Sequence, residues 1–259
     1  MSVSFDETPR PSRARIGVVL LDMPHYSPRA GVFDSSATSG LGPLPAGFFD
    51  HPRTWPGATA YAVAEGAGAW PTLQGTAEAL DGLRCAVERL APQCDVVLAD
   101  CGFFWAARRE EPRLPGNVVL SGLDLLDLAL TVSAGEVGIV TYSKPYCEVL
   151  IGGHPALDRL RIVGLSDQPS WAYLSRADHG QLDGWSQDTL RKELVSVLER
   201  ERQAGMLRDV NALVLECTVL PQYRSAIRSV IDVPIFDART LALALLCDPP
   251  ATFEPTSAA

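Results

Sequence analysis

The chain has 259 residues, 47% of them hydrophobic and 20% charged, the make-up of an ordinary folded globular protein. Its net charge of -9 and pI of about 4.9 argue against nucleic acid or an anionic membrane surface as a main partner. Six cysteines without a CxxC pair, and four histidines that do not cluster with them, speak against a disulfide framework and against a metal site.

Residues 1–13 are polar and proline-bearing and read as a flexible tail. Asp6 and Glu7 precede the basic residues, and the apolar run from Ile16 to Leu21 is too short for the core of a signal peptide. No stretch approaches the roughly 20 apolar residues of a membrane span, so a cytoplasmic location is expected. Residues 15–21 read as a first buried strand ended by Asp22-Met23-Pro24. Residues 24–57 are rich in Gly, Pro and Ser, and carry His25, Tyr26, Phe48, Phe49, His51 and Trp55. That is too long for a routine connection, and such loops carry function or move.

A strand is expected over 58–64 and a helix over 76–90, where Ala77, Leu80, Leu83, Val87 and Leu90 follow helical spacing. Val96-Val97-Leu98-Ala99-Asp100-Cys101-Gly102 then reads as a buried strand ending on a cysteine. Phe103, Phe104 and Trp105 follow. A short strand is expected over 117–120, a helix over 123–132, a strand over 137–140 and another over 160–165. Residues 166–186, with Trp171, Tyr173, His179 and Trp185, read as a polar, aromatic loop. Ser186 is placed to cap a long amphipathic helix reaching residue 206. Ala212-Leu213-Val214-Leu215-Glu216-Cys217-Thr218 repeats the earlier cysteine strand. A helix over 222–230, a strand over 233–236, a helix over 239–247 and a flexible tail over 248–259 complete the reading. Alternating strands and helices imply parallel sheets covered on both faces.

The two halves match in order. Gly17 to Pro24 resembles Gly138 to Pro145, the cysteine strands match each other, and 118–121 matches 234–237, all at a spacing of about 116 to 121 positions. This points to an α/β protein of two pseudo-symmetric lobes, each a short parallel sheet flanked by helices, with the active site in the cleft between them. The expected lobes are 14–121, with 238–247 available to complete it, and 122–237.

These residues resemble the aspartate/glutamate/hydantoin racemase superfamily. Leu213-Val-Leu-Glu-Cys217-Thr218-Val-Leu-Pro221 is similar to its GCTEL-P segment, Val233-Pro-Ile-Phe-Asp237 to its IPVID, and Gly138-Ile-Val-Thr141-Tyr-Ser143 to its GxxxT substrate loop. The resemblance covers most of residues 14–247 and is most specific in the second half. It implies a cofactor-independent enzyme with one cysteine from each lobe on opposite faces of a substrate carbon. Two departures stand out. Gly102 follows Cys101 where amino-acid racemases of the family carry asparagine, and Glu216 stands where the family often has glycine. Both point away from aspartate or glutamate and towards a bulkier or hydantoin-like substrate.

The expected catalysts are therefore Cys101 and Cys217. One acts as thiolate and the other as thiol, removing and returning a proton at an acidic carbon beside a carbonyl or carboxylate. Backbone N–H groups at a following helix start would favour the thiolate. The expected substrate-binding residues are Asp22, Gly102, Phe103, Thr141, Tyr142, Ser143 and Thr218. Asp100 and Glu216 read as ion-paired or capping residues, which would oppose thiolate formation if they entered the cleft. No cofactor and no metal are expected. The expected partner is a small-molecule substrate, with neither nucleic acid nor membrane, and a homodimer is the assembly to consider. The leading reading is a racemase or epimerase. A decarboxylase or cis–trans isomerase of the same superfamily, using one cysteine, is a second. A non-catalytic two-lobed small-molecule binding protein is a third.

Overall fold

The computed structural model describes residues 15–23, 32–34, 46–176 and 186–246. The first sheet contains β1 (Arg15–Leu20), β2 (Phe33–Asp34), β3 (Ala58–Val63), β4 (Val96–Ala99) and β5 (Val118–Val119), in the order β2-β3-β1-β4-β5. The second contains β6 (Glu136–Thr141), β7 (Leu160–Gly164), β8 (Val210–Leu215) and β9 (Ile235–Asp237), in the order β7-β6-β8-β9. All pairings among these strands are parallel except that of β2, a two-residue antiparallel edge on β3. With β2 set aside, the two sheets share one order, as two copies of one ancestral lobe would.

The register carries the same equivalence. Val19 pairs with Ala62 on one side and Ala99 on the other, and Val140 pairs with Val163 and Leu215. The Asp100 N–H donates to the Val19 carbonyl at 3.0 Å, and the Glu216 N–H to the Val140 carbonyl at 2.9 Å. Cys101 and Cys217 therefore leave equivalent central strands at equivalent points, which is the geometric content of the repeat seen in the sequence.

Nine α-helices are assigned among the described residues: α1 (Ala69–Gln74), α2 (Ala77–Leu90), α3 (Ala107–Glu110), α4 (Leu126–Val132), α5 (Lys144–Ile151), α6 (Pro169–Arg176), α7 (Gln187–Ala204), α8 (Arg224–Val230) and α9 (Ala238–Leu246). Thr76 caps α2 by accepting from the Ala79 N–H. Leu80, Leu83, Ala86, Val87 and Leu90 turn inward from α2 at three- and four-residue spacing. They meet Val19, Ala60, Ala62, Val97 and Ala99 on one face of the first sheet. Ile16, Val18, Leu20, Tyr61, Val63, Val96 and Leu98 alternate onto the other face, which Ala238 and Ala242 of α9 cover. Each fully buried leucine in such a layer contributes about 1.5–3 kcal/mol.

The lobes exchange their last helices. After β5 the chain crosses to pack α4 against β6 and β8, and after β9 it returns α9 to β4 and β5. One core cluster consequently runs through both sheets, from Ala99 by way of Phe104, Leu120, Leu123 and Leu126 to Ile139 and Val214.

Two expectations need correction. Within the expected loop 166–186, residues 169–176 form a helix. Pro169 opens α6, the Ser170 N–H and hydroxyl both bond the Glu193 carboxylate, and Trp171 is fully buried with its indole N–H on the Leu190 carbonyl. The polar composition hid a helix that sinks Trp171 against α7 and packs Leu174 on the same cluster. In the long segment 24–57, residues 46–57 fold back onto the body: Phe48, Phe49 and Trp55 are core residues, and Trp55 donates to the Phe49 carbonyl. The expected helix cap at Ser186 is present, its hydroxyl accepting from the Thr189 N–H at 3.1 Å. His25, Tyr26, His179, Trp185, Cys247 and both tails lie outside the described residues. No helix among the described residues is long and apolar enough to cross a membrane.

Candidate active site

The ends of β4 and β8 meet at a pocket of about 120 Å³. Its lining comes from both lobes: Asp100, Cys101, Gly102 and Phe103 after β4, and Glu216, Cys217, Thr218 and Val219 after β8. Leu21, Ala69, Leu73, Tyr142 and Leu174 complete an otherwise apolar wall. Of the residues expected to bind substrate, Gly102, Phe103, Tyr142 and Thr218 stand in this lining beside the two cysteines.

The other three stand elsewhere. Asp22 lies off the pocket, where its carboxylate accepts from the Gly66 N–H. Thr141 is fully buried, and its hydroxyl donates to Glu216 Oε2 at 2.7 Å. Ser143 precedes α5 and lines a separate depression with Lys144, Gly164 and Arg200. Phe104 is core, and His51 and His154 are occupied in a local cap and a pairing with Asp127.

Both cysteines turn their strands the same way. The Cys101 carbonyl accepts from the Phe104 N–H at 3.2 Å, and the Cys217 carbonyl from the Leu220 N–H at 3.0 Å. Two bonds stitch the turns together across the lobes: Thr218 donates its hydroxyl to the Asp100 carbonyl, and Ser121 donates to the Glu216 carbonyl at 3.0 Å. Cys101 and Cys217 are half-buried residues, whereas Glu216 is fully buried.

The expected helix starts are weak ones. A five-residue 3-10 helix (Gly102–Ala106) follows Cys101, and another (Leu220–Tyr223) begins three residues past Cys217. The Phe103 N–H reaches Cys101, and the Val219 and Leu220 N–H groups reach Cys217, each favouring the thiolate. Burial and the neighbouring carboxyls outweigh them. Loss of water first, then Glu216 and Asp100, push the Cys101 thiol well up; loss of water and then Glu216 do the same for Cys217. Burial thus works against the expected effect of the backbone N–H groups on these thiols.

The carboxyls are the part of the site least visible in the sequence. Asp100 accepts from the Leu21 N–H at 3.0 Å, yet burial and the facing Asp50 raise it well above the usual carboxylate range. Glu216 is pushed up to about 7 by burial, against the opposing pull of the Thr141 hydroxyl and the Tyr142 N–H. Its Oε1 has no hydrogen-bond partner among the described residues. Gly102 explains how it fits. A Cβ at that position would lie 2.2 Å from the Glu216 carbonyl oxygen and 2.3 Å from Oε1. The two departures from the racemase pattern, glycine after the first cysteine and glutamate before the second, are thus one packing arrangement: the missing side chain makes room for the added one. Spacing alone does not reveal it, since the partners are far apart in sequence.

Among the described residues, no group of three or more His, Cys, Asp or Glu is arranged to hold a metal ion.

No protein-family model matches the chain. The fold is similar to that of allantoin racemase from Klebsiella pneumoniae, with a TM-score of 0.52 and 18% identity, covering 90% of this chain and 87% of that one. The chain thus shares the two-lobed α/β fold of that racemase. Its similar curated sequences are lyases. Dimethylsulfoniopropionate lyase 3 of Emiliania huxleyi is 29% identical over 162 residues, 58% of this chain and 41% of that protein. The dimethylsulfoniopropionate lyase of Durusdinium sp. clade D is 24% identical over 246 residues, 89% of this chain and 73% of that protein. The chain spans 41% of the length of the first two curated relatives it matches.

Proposed function

We propose that this protein is a cofactor-independent carbon-acid enzyme in which Cys101 and Cys217 form a thiolate/thiol pair. The observation that carries the reading is that the two cysteines, each following the equivalent central strand of its lobe, line one small pocket. A substrate carbon held between them offers its proton to one sulfur and receives a proton from the other on the opposite face. With no leaving group on the neighbouring carbon, this inverts the centre, which is racemisation or epimerisation. The carbanion is an enolate, and Tyr142 stands in the lining beside it, while the Thr218 hydroxyl, given to the Asp100 carbonyl, holds the two cysteine turns together.

Elimination is the second reading, favoured by the curated relatives named as dimethylsulfoniopropionate lyases. It begins with the same proton removal. The C–H electron pair then forms a C=C bond while the bond to a sulfur leaving group on the next carbon breaks, carrying its pair away with the sulfur. The described lining holds two carboxyls, Asp100 and Glu216, and no lysine, arginine or histidine. That suits a neutral ring amide, or a carboxylate that also bears a cation, better than a dicarboxylate.

The test is α-proton exchange in D₂O, followed by NMR and chiral chromatography. The panel is enantiopure amino acids, hydantoins, malonates and dimethylsulfoniopropionate. Inversion with deuterium incorporation supports the racemase, and release of dimethyl sulfide with acrylate supports the lyase. A folded protein that exchanges, inverts and cleaves nothing in the panel contradicts both.

A further inference from the structure

We propose that Glu216 is the proton partner of the thiol pair, so that Glu216, Cys101 and Cys217 together hold a single negative charge in the pocket. The inference deepens the thiol-pair reading and rests on it. Three features of the structure carry it. Glu216 is fully buried in the pocket wall, and its Oε1 is left without a hydrogen-bond partner among the described residues, an arrangement that is costly to maintain without use. The space for that oxygen exists because residue 102, beside Cys101, has no side chain. The carboxyl group belongs to a residue that lines the same pocket as Cys101 and Cys217, and its charge raises both thiols.

A thiol that lost its proton to solvent beside ionised Glu216 would place two like charges in an apolar pocket whose described lining has no cation. Transfer between the groups avoids this. The S–H bond breaks with its electron pair left on sulfur, the proton forms an O–H bond on the Glu216 carboxylate, and the charge of the pocket stays at one. Such groups titrate as a set. Other groups face this set from the elements around it. Asp100 faces Cys101 from the end of β4, Cys147 on α5 feels Glu216, and Tyr223 feels Cys217 from the turn before α8. From β6 comes the Thr141 hydroxyl, and from the turn after β5 the Ser121 hydroxyl on the Glu216 carbonyl. Glu216 acts through the thiols, as a positioning and proton-holding group, and not on the substrate.

The test needs no substrate, so its failure is separable from failure of the proposed function. The wild-type protein and Glu216→Gln are pulsed with iodoacetamide from pH 5.5 to 9, and alkylation of Cys101 and Cys217 is read by mass spectrometry. Glutamine keeps the shape and can still accept from Thr141. In the wild type the thiolate should increase about tenfold per pH unit below 7 and level off above it, where the charge settles on Glu216. In Glu216→Gln the rise should continue tenfold per unit through pH 7 to 9. Thr141→Val keeps the carboxyl but removes a donor from its charged form, and should move the levelling-off to higher pH. A wild-type profile that climbs through pH 7 in parallel with Glu216→Gln overturns the proposal. So does a levelling-off that stays in place in Thr141→Val.

Discussion

Replacing Glu216 by glutamine should change the stability of the fold by an amount that depends on pH in a defined direction, gaining on the wild type as pH rises. In the unfolded chain a glutamate titrates near 4.5, and in the folded protein burial holds this one protonated up to about 7. Below 4.5 both states carry the proton and the carboxyl costs nothing through titration. Between 4.5 and 7 the unfolded chain has released its proton while the folded protein keeps it, so rising pH favours unfolding. Above 7 both are ionised and the cost is complete. Each tenfold difference in proton affinity between the two states is worth about 1.4 kcal/mol, so the full cost is about 3 kcal/mol. The stability of Glu216→Gln relative to the wild type should therefore grow by about 3 kcal/mol between pH 4.5 and 7.5. For a chain of this length that corresponds to roughly 6–12 °C in Tm. Asp100 is also raised, but by burial and Asp50, so its slope is common to both proteins and cancels in the difference. Any fixed penalty for burying the amide shifts the curves without tilting them. Urea unfolding at pH 4.5, 5.5, 6.5 and 7.5 measures the difference directly. A constant difference across that range would refute the argument, because it would mean that Glu216 ionises in the fold as it does in water.

Gly102→Ala should destabilise the protein by about 1–3 kcal/mol, since the added methyl meets a backbone carbonyl oxygen and cannot be accommodated by a side-chain rotation. An unchanged Tm would contradict the close approach of the two cysteine turns. Arg224→Met should cost about 1.5–3 kcal/mol, because Asp237 is 1% exposed and loses the charge-assisted bond from the half-buried Arg224, keeping only the Thr240 N–H and hydroxyl. Chemical denaturation reads it, and a loss below 1 kcal/mol would show that the threonine alone satisfies the carboxylate.

Much of this architecture is legible in the sequence because its cause is local. Runs such as Val96 to Ala99 and Leu213 to Leu215 are apolar on both faces, and strands covered by helices on both sides must be. The capped start of α7 at Ser186 and the spacing of α2 are equally local signals. The equivalence of Cys101 and Cys217 follows from the repeat. What sequence leaves hidden depends on contacts between distant segments. Thr141 and Tyr142 are adjacent, yet the pleat sends one to Glu216 and the other to the pocket. Leu73 and Ala69 enter the wall from α1, a six-residue helix bounded by glycines that carries no clear period. Thiol acidity is not legible from motif position alone because burial, which only the folded chain supplies, works against the backbone N–H groups. Glu216 and Gly102 register in the sequence only as two departures from a family pattern, and the fold joins them.

The central claim is that two thiols serve opposite faces of one carbon. The most direct measurement is α-proton exchange in D₂O by Cys101→Ser and Cys217→Ser, on each enantiomer of a substrate that the wild type inverts. A hydroxyl is a far weaker base than a thiolate, so inversion should fall by roughly a hundredfold or more in both variants. Each should still exchange one enantiomer through its surviving thiolate, and the two variants should favour opposite enantiomers. Inversion at the wild-type rate in either variant, or the same preferred enantiomer in both, would contradict the two-thiol account.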